Sequence, residues 1–123
     1  MVMLSQIDAA VCGKYGIPPT ALKGASRERR VSRPRQVAYY MARELTKHSS
    51  PEIGFWYGNR DHTTVLYGCL NVQRLMRETP LFAVEMADLK EQIAQAPPSP
   101  LMLAARRFAT RESQNATDIQ ATG

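Results

Sequence analysis

Apolar residues recur along most of the chain at spacings of three and four, the period of a helix that packs on one face. Ile7, Val11 and Tyr15 draw the first stripe; Ser5 with Asp8 reads as a capping box at its start, and Gly16 as its stop. Ile17, Pro18, Pro19 and Thr20 predict a turn, and Ala21, Leu22 and Lys23 a single helical turn before Gly24. Residues 24–32 read as a basic loop. Ser32 is placed to cap a helix with Pro34 in its first turn, carrying Val37, Met41 and Leu45 with Tyr40 beside them and running to about Lys47. Ser49 and Glu52 form a second capping box, again with a proline, Pro51, in the first turn. The short helix that follows carries Ile53, Trp56 and Tyr57, and Gly54 within it predicts close approach of another helix. Gly58 and Asn59, which both tolerate positive φ, break it.

The next helix should open near Arg60 or Asp61, because Val65, Cys69, Val72 and Met76 step by four, three and four. Thr79 and Pro80 open another, whose stripe is Phe82, Met86, Leu89 and Ile93. Ala96, Pro97, Pro98, Ser99 and Pro100 make a stiff linker, residues 101–111 a further short helix, and the polar stretch from Glu112 a disordered tail. Nowhere do β-branched and aromatic residues alternate with polar ones, so no strand is expected. The pattern predicts an all-α fold: a compact multi-helix domain over 1–95, then linker, helix and tail over 96–123.

Charge adds a direction. The 123 residues carry a formal net charge of +5. The window 23–47 holds Lys23, Arg27, Arg29, Arg30, Arg33, Arg35, Arg43 and Lys47 against Glu28 and Glu44, a net +6 that leaves the rest of the chain at −1. A charge run of this kind can be a solvated face only; as a binding surface it favours nucleic acid, with an anionic membrane as the rival. The basic window lacks the long amphipathic apolar face that membrane binding needs. Cys12 and Cys69 sit in apolar helical patterns and read as buried free thiols. No cysteine, histidine or carboxylate cluster has metal-ligand spacing, no Gly-x-x-x-x-Gly-Lys-Ser/Thr loop occurs, and no nucleophile stands beside a base. A non-enzymatic chain without cofactor is therefore expected. Neither a secretory signal nor a membrane-spanning stretch is evident, so the expected place is the cytoplasm.

A short capped helix, a break around Gly58 and Asn59, and a longer helix together predict a helix-turn-helix. The second helix opens on Arg60, Asp61, His62, Thr63 and Thr64, a dense set of short hydrogen-bonding side chains. In such motifs the first turns of the recognition helix meet base edges in the major groove. Aspartate can accept from a cytosine amine, and threonine methyls can touch a thymine methyl. Read blandly, the same residues are ordinary helix-start residues.

The runs Ser32-Arg33-Pro34-Arg35-Gln36-Val37-Ala38, Ala42-Arg43-Glu44-Leu45-Thr46, Pro51-Glu52-Ile53-Gly54 and Gly58-Asn59-Arg60-Asp61-His62-Thr63-Thr64-Val65-Leu66 give the chain a specific likeness. It resembles the C-terminal DNA-binding domain of the bacterial chromosomal replication initiator DnaA over roughly residues 5–95. The resemblance implies a Trp-repressor-like helical fold, of the kind found in domain IV of DnaA. It implies base reading by Asp61, His62, Thr63 and Thr64, with Arg60 opening the same block. It also implies a minor-groove arginine at Arg27, with Arg29 and Arg30 near enough to compete. Phosphate contacts fall to Arg35 and Arg43, and packing of Pro51 on the DNA backbone is implied as well. Four positions depart from the family pattern: Ser50 stands where leucine is usual, Asn59 where glycine is usual, and Leu70 with Asn71 where basic residues are usual.

The expected function is stand-alone, sequence-specific binding of double-stranded DNA at initiator-type boxes. It would regulate replication initiation or transcription without ATPase activity, acting as a nucleoid-associated monomer and competing with the host initiator for sites. The alternative is an all-α protein-interaction module that uses the helix over 80–95 and the segment 101–108. That alternative leaves the basic loop and the Arg60–Thr64 block unexplained.

Overall fold

A computed structural model describes residues 2–24 and 29–95. Every regular element among them is an α-helix: α1 Leu4–Tyr15, α2 Pro19–Lys23, α3 Arg29–Leu45, α4 Ser50–Trp56, α5 His62–Glu78 and α6 Pro80–Ala94. The all-α expectation and its helix order hold. Arg27, the expected minor-groove residue, lies outside the described residues, as do the linker, helix and tail expected over 96–123.

Helix α3 is the centre and touches each of the other five. Its Val37, Ala38, Met41 and Ala42 are fully buried, and the two alanines let neighbours approach its axis closely. Ile7 and Val11 of α1, Val65 and Val72 of α5, and Met86, Leu89 and Ile93 of α6 close the core around it. Each such side chain contributes about 1.5–3 kcal/mol when fully buried. The stripe of α6 is buried at all four expected positions, and that of α5 at three, with Met76 only partly covered. Cys12 and Cys69 are buried free thiols. Burial pushes the Cys69 thiol up to about 11, which keeps it protonated and inert.

The helix starts required most revision. In α1 the cap is Met3, whose backbone amide donates to Gln6 Oε1 at 2.7 Å. Ser5 lies inside the helix, and Asp8 is turned into the protein instead of capping anything. Helix α3 begins at Arg29, three residues before the expected cap at Ser32. Its added first turn is anchored by the buried Val31, and Pro34 becomes an interior residue of the second turn. The proline removes one amide donor there, but its φ suits a helix and its ring is buried.

Two stops and one start follow the expectation closely. Gly16 adopts φ 68° and ends α1 with its amide and that of Ile17 on Cys12 O, at 2.8 and 3.2 Å. Ser49 N donates to Glu52 Oε1 at 2.7 Å and Glu52 N to Ser49 Oγ at 3.3 Å, the reciprocal pair of a capping box. Gly58 and Asn59 break the backbone after α4 with φ of 97° and 58°.

Candidate nucleic-acid interface

Helix α4, the turn over 57–61 and helix α5 form the helix-turn-helix. Its geometry is fixed from below by α1. Asp8 is 6% exposed and accepts from Trp56 Nε1 at 2.9 Å and from Tyr57 Oη at 2.6 Å, so one carboxylate holds the end of α4. Desolvation raises the Asp8 pKa above the usual carboxylate range, against the opposing pull of Tyr57, Trp56 and Lys23. The Tyr57 ring meets Tyr39 of α3 edge-on at 5.6 Å, and the Lys23 ammonium sits 4.1 Å from the centre of the Trp56 ring.

The turn is held by backbone contact. Arg60 N donates to Gly54 O at 2.7 Å, and a Cβ on Gly54 would lie 2.2 Å from Arg60 O. The close approach expected at Gly54 is therefore made by the turn itself, more than by another helix. Gly58 is pressed against Lys23 in the same way, with Lys23 O 2.5 Å from where a Cβ would stand. Both glycines are needed because backbone occupies the space a side chain would take.

Helix α5 starts at His62 with Asp61 as its N-cap, one to two residues later than expected. Asp61, His62, Thr63 and Thr64 are all exposed. Thr63 Oγ1 donates to Asp61 Oδ2 at 2.8 Å, and His62 Nδ1 lies 3.2 Å from Asp61 Oδ1. The Thr63 hydroxyl is the main reason the Asp61 pKa falls below its usual value. Asp61 thus stays ionised and acceptor-only, the state that suits a cytosine amine. The structure brings the four expected base-reading side chains together on one protruding turn.

The arginines separate into two kinds. Arg43, near the end of α3, is exposed and donates from Nη1 to Ser50 Oγ at 3.2 Å. Ser50, the departure from the family pattern, is thereby the hydroxyl that steers Arg43 toward the start of α4, next to exposed Pro51. Arg35 is different: it is 6% exposed, with Nε on Leu22 O at 3.1 Å and Nη2 on Ala21 O and Gly24 O at 3.1 and 3.0 Å. The expected phosphate clamp at Arg35 is corrected to a buried cation that caps the C-terminal carbonyls of α2. Burial and the nearby Arg60 both lower its pKa. Arg60 is half-buried, and its Nη2 also donates to Gly24 O. Its place is under the start of α5, tying that turn to the end of α2.

Sequence reasoning missed three of these supports: the Asp8 clamp, the docking of Arg35 and Arg60 on carbonyls, and Gly68. A Cβ on Gly68 would stand 2.7 Å from Tyr39 Cδ2, so this glycine sets the crossing of α3 and α5. A signal for Asp8 was present, since Leu4, Ile7, Asp8, Val11 and Cys12 share one face at helical spacing. The departure at Asn71 also has a reason. Its Nδ2 donates to Gln36 Oε1 at 2.7 Å, so the side chain braces α5 on α3.

Between α3 and the start of α5 lies a cleft of about 410 Å³ lined by Ser32, Arg35, Gln36, Tyr39, Arg60, Asp61 and Thr64. Among the described residues no three His, Cys or carboxylate side chains gather to hold a metal, and no helix is long and apolar enough to cross a membrane.

Residues 4–72 match the family of the bacterial dnaA protein helix-turn-helix. The chain is 45% identical over 92 residues to the chromosomal replication initiator protein DnaA of Magnetococcus marinus, covering 75% of this chain and 21% of that protein. Its identity to the protein of the same name from Gluconobacter oxydans is 41% over 92 residues, 75% of this chain and 19% of that one. For the Psychromonas ingrahamii protein it is 48% over 75 residues, 61% and 16%. The chain spans about a fifth of the length of these relatives. With the capped α4, the glycine-bound turn and the protruding start of α5, these matches establish that the chain belongs to the bacterial DnaA helix-turn-helix family, and that its helix-turn-helix is a DNA-binding one.

Proposed function

We propose that the chain binds double-stranded DNA at initiator-type boxes and reads them with the first turn of α5. The observation that carries this is the joint exposure of Asp61, His62, Thr63 and Thr64 on a turn held rigidly from beneath. In the major groove, Asp61 accepts from a base amine, His62 donates or accepts, and the two threonines offer hydroxyl and methyl. Arg43 and Pro51 lie against the sugar-phosphate backbone and set register. Arg27 reaches the adjacent minor groove, where a guanidinium meets an enhanced negative potential.

The cleft between α3 and α5 supports a second backbone contact. Arg35 and Arg60 outnumber the Asp61 carboxylate on its wall, and Ser32, Gln36 and Thr64 line it with polar side chains. A phosphodiester there would be held by the polar side chains and by the field of the two arginines, with Arg35 acting through charge and position.

The proposed role is to mark or block a site in the cytoplasm, at the nucleoid, as a monomer that competes with the replication initiator. Regulation of replication initiation and of transcription both follow from such occupancy. A gel shift on an initiator-box duplex and on a scrambled duplex of equal length tests the reading. Tight binding to the first and weak binding to the second is expected, and equal affinity would overturn it. The protein-interaction reading finds support in Leu81 and Val84, large apolar side chains exposed on α6. It accounts for no feature of the α5 start.

A further inference from the structure

At the other end of α5 lies an apolar groove unrelated to the reading turn. Met76, on its wall, is about 21 Å along the helix from His62 at ~1.5 Å per residue. The groove measures about 330 Å³ and is walled by Tyr40 and Leu45 of α3, Met76 of α5, and Met86, Ala87 and Ala94 of α6. Lys90 and Glu91 stand at its edge. Leu45 and Met76 are only partly buried, so the floor of the groove is core surface left uncovered.

We propose that residues 101–108 of the same chain dock in this groove as an amphipathic helix. Four observations select this occupant. First, α6 ends at Ala94, which itself lines the groove, so the chain continues from the groove's own edge. Second, Leu101, Ala104, Ala105 and Phe108 fall at i, i+3, i+4 and i+7 and share one apolar face, with Met102 and Arg107 at its borders and Leu103 and Arg106 opposite. Third, the intervening residues 96–100 include three prolines, and at ~3.1 Å per residue this stiff spacer reaches about 15 Å. That span lets the chain reverse over the end of α6 and lie along the groove. Fourth, Arg107 borders the apolar face, while Glu91 lines the groove and its neighbour Lys90 is already paired with Glu44. An eight-residue helix is marginal alone and needs such a surface to persist. The inference is independent of DNA reading, since the groove shares no residue with the α5 start.

The test uses the full chain with 13C-methyl-labelled methionine. Met76 and Met86 line the groove; Met41 is buried away from its wall and serves as the internal control. The wild-type chain is compared with the double variant Leu101→Asp, Phe108→Asp. Docking is supported by displaced Met76 and Met86 methyl resonances in the variant, an unmoved Met41 resonance, and the same result on tenfold dilution. Charge reversal at Glu91→Lys should reproduce part of that displacement, and adding Arg107→Glu should restore it. Two results would overturn the proposal. If Met76 and Met86 do not move, the groove is open in the wild-type chain. If their difference vanishes on dilution, a second copy fills the groove.

Discussion

Tyr57 Oη donates to Asp8 Oδ1 at 2.6 Å, a bond between α4's C-cap and the first helix of the chain. Both partners are buried, so neither has water to fall back on. Removing one partner from a buried pair costs more than the bond itself contributes, about 1–3 kcal/mol for each stranded group. Tyr57→Phe should therefore lower stability by about 1–2 kcal/mol. Asp8→Ala should cost more, because it strands the Tyr57 hydroxyl and releases the Trp56 indole as well. Urea denaturation of the two variants measures the difference. Equal stability of Asp8→Ala and wild type would show that the clamp does not hold α4.

The same carboxylate gives stability a pH dependence of definite sign. Desolvation raises its pKa in the folded state, more than Tyr57, Trp56 and Lys23 lower it. The folded chain then binds a proton that the unfolded chain has already released. Stability falls as pH rises from the ordinary carboxylate value through the raised one. Asp61 and Glu52, whose pKa values are lowered, contribute the opposite slope. Comparing wild type with Asp8→Asn across this interval isolates the Asp8 part. The wild type should lose ground to the variant with rising pH, by no more than about 1.4 kcal/mol per unit. A difference that is flat or runs the other way would contradict the burial of an ionisable carboxyl.

Arg35 is expected to act on stability first. It gives three hydrogen bonds to the carbonyls of Leu22, Ala21 and Gly24, from a planar fork that lysine cannot reproduce. Arg35→Ala should cost about 2–4 kcal/mol in thermal unfolding, and Arg35→Lys should recover little of it. A variant that melts like wild type while its DNA affinity loses salt dependence would return Arg35 to the role of a plain phosphate contact.

The sequence made legible whatever depends on spacing and on local chemistry. The stripes of α5 and α6, the Ser49–Glu52 cap and the φ > 0 break at Gly58 and Asn59 all follow from residues near one another in the chain. So does the α5 start to within two residues, because the Arg60–Thr64 block is contiguous. The unreadable part consists of contacts made across the fold. Ser5 and Asp8 have cap spacing, yet Asp8 is claimed by Trp56 and Tyr57, 48 and 49 residues away. Ser32 and Pro34 have the look of a helix start, yet burial of Val31 extends α3 by four residues, to Arg29. Arg35 resembles a phosphate ligand by position, and only the arrival of α2 shows where its donors go.

Reading and anchoring should separate experimentally. Thr63→Ala or His62→Ala removes a groove contact and should cost on the order of 1–3 kcal/mol on the box duplex, with little change on a scrambled one. Arg43 is exposed, bonded to Ser50 at the start of α4, and proposed to touch phosphate only. Arg43→Ala should weaken both duplexes alike and reduce the slope of log affinity against log salt by about 0.9. Titrations of the three variants on both duplexes at several salt concentrations decide the matter. Loss of discrimination in Arg43→Ala, or its retention in both recognition-helix variants, would exchange the assigned roles.

Two glycine substitutions should move stability in opposite directions. Alanine is favoured over glycine inside a helix by about 0.8–1 kcal/mol. In α1, a Cβ on Gly13 meets nothing within 4 Å, so Gly13→Ala should gain about 0.5–1 kcal/mol. In α5, a Cβ on Gly68 lies 2.7 Å from Tyr39 Cδ2 and 3.2 Å from Gln36 Cγ. Gln36 can yield only by disturbing its bond to Asn71. Tyr39 is 1% exposed and seated edge-on against Tyr57, so its ring has nowhere to turn. Overpacking of this kind costs about 1–3 kcal/mol, more than the propensity gain. Gly68→Ala should therefore be less stable than wild type, and its urea midpoint should fall while that of Gly13→Ala rises. Because the α3–α5 crossing carries the Tyr39–Tyr57 contact to the end of α4, Gly68→Ala should also loosen the turn and weaken box discrimination. A rise in midpoint for both variants would mean that α3 and α5 stand further apart at Gly68 than the structure has them.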